Sequence, residues 1–135
     1  MPVVKFSSQA QSLSVRLHAQ GKEPGQAHYS CWLESKGPTP RKPDDAFLDL
    51  PGDPERTVPL PGNAASHDSE TLSVKVSYAG TTGDTMHLYF DILEDPGGQR
   101  IGGFGDGTKP GHDVTIKGSE DEDYYDQFYF LLRRA

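Results

Sequence analysis

The chain is organised by a period of two. Between positions 71 and 94, Leu72, Val74, Val76 and Tyr78 alternate with Ser73, Lys75 and Ser77. After Ala79-Gly80-Thr81-Thr82-Gly83-Asp84 the alternation resumes, with Met86, Leu88, Phe90 and Ile92 set against His87, Tyr89, Asp91 and Leu93. Successive strand side chains point to opposite faces, so each arm carries one apolar face. A glycine-bearing connection between two such arms predicts a long antiparallel hairpin. The same alternation predicts strands over 2–7, over 12–19 with Leu13, Val15 and Leu17 facing one way, and over 26–35. In the last of these Ala27, Tyr29, Cys31 and Leu33 oppose His28, Ser30 and Trp32. Gln20-Gly21-Lys22-Glu23-Pro24-Gly25 reads as a turn between the second and third strands.

Two stretches break the pattern. Residues 36–63 hold seven of the eleven prolines. Proline lacks a ladder donor, which excludes a central strand from most of that stretch. Within it, 46–50 fits a short strand or one helical turn, and 56–60 fits an edge strand. Residues 95–111 read as an irregular, glycine-rich loop. Shorter alternations at 112–117 and 124–133 close the chain, the second with Phe128, Phe130 and Leu132 on one face and Tyr125, Gln127, Tyr129 and Leu131 on the other. No apolar stretch has a period of 3.6. The expectation is one all-β domain over 1–135, an antiparallel β-sandwich of roughly 7–9 strands, with a partly closed β-barrel as the alternative.

Composition narrows the class of function. The net charge is −7, and all of the deficit lies beyond position 60, where six basic residues face thirteen acidic ones. An acidic surface without a Lys/Arg cluster repels phosphate backbones and anionic lipid, so neither nucleic acid nor membrane is expected as a partner. The first residues, Met1-Pro2-Val3-Val4-Lys5-Phe6, lack the apolar run of a signal peptide, and no run reaches the length of a membrane helix. A cytoplasmic location is the default expectation, with leaderless export as the other route. Cys31 has no second cysteine to pair with and falls mid-strand, where a reduced buried thiol acts as a small hydrophobe.

The candidate chemistry is sparse. Loop carboxylates at Asp84, Asp95, Asp106 and the run Glu120-Asp121-Glu122-Asp123 invite a calcium reading, but simple hairpins would divide them between opposite ends of the domain. The glycine loop 97–109 does not fit a phosphate cradle, because Gly107-Thr108-Lys109 has the wrong order and Pro110 follows where a helix is needed. The five histidines show no metal-ligand spacing, and no serine or cysteine stands in a nucleophile motif. Phe104, between Gly103 and Gly105, is an expected exposed contact. Trp32, Tyr89 and Tyr129 would form an aromatic platform if they shared a sheet face. The expected function is a non-catalytic module that binds another protein, using Phe104, Asp106, Glu120, Asp121, Glu122, Asp123 and Trp32. Calcium or carbohydrate binding is the alternative; no enzyme activity and no cofactor are expected.

Overall fold

The computed structural model describes residues 1–34, 41, 45–81, 83–105, 113–115 and 124–135, without the side chains of 113–115 and 124–126, and the structural statements below concern these. Its strands are β1 (Val3–Phe6), β2 (Ser12–Glu34), β3 (Ala46–Gly52), β4 (Glu55–Pro59), β5 (Thr71–Gly80), β6 (Thr85–Asp95), β7 (Gln99–Phe104), β8 (Asp113–Thr115) and β9 (Tyr124–Arg134). A single 3₁₀ turn, Ala64–His67, is capped by the Asn63 side chain, which accepts from the Ser66 N–H. The all-β expectation holds. The strands form one mixed sheet that folds over itself and nearly closes, so the barrel alternative describes it better than two independent sheets. Among the described residues no helix is long and apolar enough to cross a membrane.

The organising element is β2, a strand of 23 residues. Its first half lies between β4 and β6, with Val15 opposite Val58 on one side and Ile92 on the other. Its second half lies between β3 and β5, with Ala27 opposite Leu48 and Tyr78. The expected turn at 20–25 is therefore a bend inside one strand. Two features explain how turn residues come to lie in a strand. Pro24 sits where β2 has left β6 at Gln20 and not yet met β5 at Gly25, so its missing N–H breaks no ladder. The inward positions at the bend are small, because the layers converge there: a Cβ on Gly25 would stand 2.2 Å from Met86 Cε and 3.0 Å from the Ala79 carbonyl oxygen.

The expected hairpin is also replaced. β5 and β6 do not pair with each other; they run end to end along β2, antiparallel to it, with β5 opposite Gly25–Glu34 and β6 opposite Ser12–Gln20. The connection at 81–84, with Gly83 at φ +97° and the Asp84 N–H bonded to the Thr81 carbonyl, redirects the chain without reversing it. Alternation along each arm cannot distinguish these arrangements, since both give each arm an antiparallel neighbour. β3 and β4 follow each other along the opposite edge of β2 in the same manner, which keeps their prolines on a sheet margin. On the far side, β7 and β8 run along β6, and β9 runs along β5. β7 corrects the reading of 95–111 as wholly irregular: Gly103, at φ +134°, lies so close to β6 that a Cβ would come within 2.2 Å of the Phe90 carbonyl oxygen. A glycine-rich strand of this kind carries no hydrophobic alternation to betray it.

One core lies between the folded halves. Leu13, Val15, Leu17, Tyr29 and Leu33 of β2 meet Leu72, Val74 and Val76 of β5, Phe90 and Ile92 of β6, and Phe130 and Leu132 of β9. Burying each large apolar side chain contributes on the order of 1.5–3 kcal/mol, and a slip of one residue would turn the whole set outward. Tyr29 spans the interior and donates its hydroxyl to the His18 carbonyl at 2.7 Å; burial pushes its ionisation well above the usual phenol range. The fold is closed at one margin by β1, which pairs in parallel with the end of β9 and meets β7 through side chains, the Val4 methyls resting on Gly102.

The bend supplies a test of this packing. Gly25→Ala is expected to destabilise the fold by about 1–3 kcal/mol through overpacking against Met86 and the Ala79 carbonyl. Lys22→Ala, exposed on the same bend, should stay within about 0.5 kcal/mol of the parent. Urea denaturation of the two variants checks both values.

Candidate functional site

The margin that β1 closes is closed only in part. β1 pairs with β9 at Leu131–Arg134. Upstream of that point a slot of about 500 Å³ opens beside β7 and β9. Its walls are Phe104 and Gly103 of β7, Phe128 and Phe130 of β9, and Met1 and Pro2 at the head of β1. The aromatic rings are held by one another: Phe104 and Phe128 have centroids 4.5 Å apart, and Phe90 meets Phe128 and Phe130 edge-on from the core at 5.5 and 5.7 Å. Such contacts give the slot a preformed apolar floor. Exposed apolar surface gathers at its rim. Among the described residues, the large hydrophobic side chains that are exposed are Met1, Val3, Phe47 and Tyr129, and all but Phe47 stand on β9 or on the β1 segment beside it.

The residues singled out in the sequence are distributed unevenly. Phe104 lines the slot, half-buried rather than fully exposed. Trp32 lies on the outer face of the β2–β5–β9 layer, half-buried, in register with Ser73 and, one strand further, Tyr129. Tyr89 does not join that platform: it sits on the other layer, stacked on His18 at 4.1 Å. Asp106 and the run Glu120, Asp121, Glu122 and Asp123 lie outside the described residues. Asp84 and Asp95 flank opposite ends of β6, and among the described residues no group of three His, Cys, Asp or Glu side chains is placed to hold a metal ion. Cys31 is in the core, and burial, with the Asp45 carboxylate, raises its thiol to about 12, which disfavours the thiolate at neutral pH.

Two polar networks were not legible in the chain, because each is assembled from separate strands. On the outer face of the β2–β6 layer, Asp91 is 6 % exposed. Its Oδ2 accepts from Arg16 Nε and Nη2 at 3.1 and 3.0 Å and lies 3.1 Å from His18 Nε2, while Oδ1 accepts from Arg100 Nε at 2.7 Å. The other His18 nitrogen is 3.3 Å from a Glu55 carboxylate oxygen. Burial alone would raise the Asp91 carboxyl; the hydrogen bonds from Arg100, Arg16 and His18 outweigh it and hold the group below the usual range. The second network ties the proline-rich stretch to the fold. Arg41 bridges to the Leu33 backbone and donates Nη2 to both Glu70 oxygens, and Glu70 Oε1 is 2.8 Å from Nδ1 of fully buried His67. Here too burial would raise the carboxyl, and the contacts from Arg41 and His67 lower it. Both networks brace the scaffold: neither borders the apolar slot.

A carboxylate depressed on folding stabilises above its unfolded value and loses that contribution as pH falls through the folded value. Asp91→Asn is therefore expected to cost about 1–3 kcal/mol at neutral pH, since Arg16, Arg100 and His18 lose a charged acceptor. The gap to the parent should shrink as pH drops from about 5 toward about 2, spanning and passing below the unfolded carboxyl value. Denaturant midpoints of the two proteins across that range provide the check.

Compared with known proteins, the chain matches no family model, and no curated protein or solved structure matches it either.

Proposed function

We propose that the chain is a non-catalytic binding module that takes an apolar segment of another protein into the slot between β7 and β9. The observation that carries this reading is the slot itself: about 500 Å³, floored by Phe104, Phe128 and Phe130, and rimmed by exposed Met1 and Tyr129. That volume suits one or two large side chains, and a preformed aromatic pocket beside exposed apolar surface is where binding energy concentrates in protein complexes. The opposite large cavity, about 540 Å³ at the bend, is lined by Lys22, Glu23, Asp53, Asp84 and His87 and offers no comparable apolar floor. The acidic run Glu120–Asp123 immediately precedes β9 in the chain, which favours a partner with basic residues flanking its apolar anchor.

Selection of random dodecapeptides displayed on phage against the immobilised protein tests the reading. Peptides with a large apolar anchor should be enriched. Phe104→Ala should weaken a selected peptide at least ten-fold, about 1.4 kcal/mol, while leaving the denaturation transition cooperative. Replacing Glu120, Asp121, Glu122 and Asp123 together with Gln or Asn should flatten the salt dependence of that binding. An absence of enriched peptides, or binding that Phe104→Ala leaves unchanged, overturns the proposal.

A further inference from the structure

The backbone beside the slot specifies more than an apolar anchor. Alternate residues of an edge strand point their N–H and C=O groups to opposite sides. In β9 the Leu132 N–H bonds inward to the Glu70 carbonyl, while the Leu131 N–H bonds outward to the Pro2 carbonyl. Odd-numbered residues of β9 therefore present their backbone groups to the margin facing β7. For Leu131 and Arg133 that margin is occupied by β1. For Gln127 and Tyr129 no strand of the described residues pairs with it, although both residues pair with Lys75 and Ser73 of β5 on the other side. The β1 ladder cannot advance one step further along β9: the next parallel bond would run to the Tyr129 carbonyl from the N–H of residue 2, and Pro2 has none. Among the described residues the edge thus stops being paired at the point where the slot begins. Unpaired edge donors and acceptors beside an apolar floor are the two elements of strand addition: the main chain supplies affinity and alternate side chains supply selectivity.

Resting on the reading of the slot as a protein-binding site, we infer that the partner binds as an extended strand added to the outer edge of β9. It lies in line with β1, exchanges main-chain hydrogen bonds with Gln127 and Tyr129, and rests every second side chain on the floor that Phe104 and Phe128 form together. The partner sequence this geometry selects is a short alternating segment with large apolar residues at every second position and no proline at the pairing positions. Helical ligands do not satisfy it, because their backbone groups are already bonded internally.

The test uses the peptide recovered by phage selection and two synthetic versions of it, N-methylated at alternate residues in the two opposite phases. Strand addition predicts that one phase weakens binding at least ten-fold and the other changes it less than about two-fold, since only every second peptide amide faces β9. It also predicts that amide exchange at Gln127 and Tyr129 slows at least ten-fold in the complex. If both methylated peptides bind like the parent, and the parent still shifts the ring resonances of Phe104 and Phe128, strand addition is overturned while the slot reading stands. If no peptide binds at all, both fail.

Discussion

One strand belongs to both layers, and the rest of the molecule follows from that constraint. β2 runs for 23 residues with the same face inward on both sides of its bend, Leu13, Val15, Leu17 and Ala19 before it and Ala27, Tyr29, Cys31 and Leu33 after it. Ala19 and Ala27 are an even number of positions apart, so the two halves keep the same parity across the irregular bend and neither flips. Every neighbour must bend at the same level to stay paired. β3 passes to β4 at Gly52–Pro54, and β5 passes to β6 at 80–84. The result is a sheet creased across its strands, with the core in the crease and the two free margins brought together on one side.

That crease explains which parts of the fold the sequence makes legible. β5, β6, β9 and the two halves of β2 are plain from alternation, and the inward residues of β5, β6 and β9 are those the period of two selects. The connections are not, because Gly and Pro mark a bend within a strand with the same residues they use to mark a reversal. A signal was nevertheless present at 19–27. Ala19, Gly21, Gly25 and Ala27 are small and share the parity of the core residues on either side, as a continuous strand squeezed at its bend requires and a turn does not. β7 left no such trace, since Gly102 and Gly103 are chosen for closeness to Val4 and to β6 rather than for burial of a side chain.

The margins also account for where binding chemistry can sit. A sheet folded in this way has to seal two edges against each other, and among the described residues β1 seals only the end of β9. Phe104 was recognisable as a candidate because glycines on both sides leave it prominent in the chain. Its partners Phe128 and Phe130 read as ordinary core residues, and only the fold, which brings them beside Phe104 at an incompletely paired margin of the described residues, makes them a floor. The buried carboxylates Asp91 and Glu70 were invisible for a related reason. Each collects its cationic partners from other parts of the fold, and no spacing along the chain announces them. Asp91 clamps the outer face of one layer, and Glu70 ties the Arg41 segment to the fold.

The most direct measurement of this account is the set of cross-strand Hα–Hα contacts in a nuclear Overhauser spectrum of the ¹³C,¹⁵N-labelled protein. A shared β2 predicts contacts from its second half to β5, such as those around Cys31 and Val74, and from its first half to β6, around Leu17 and Phe90, with none between β5 and β6. A ladder of contacts joining Val74, Val76 and Tyr78 to Met86, Leu88 and Phe90 would restore the simple hairpin, and the creased sheet with its open margin would fall with it.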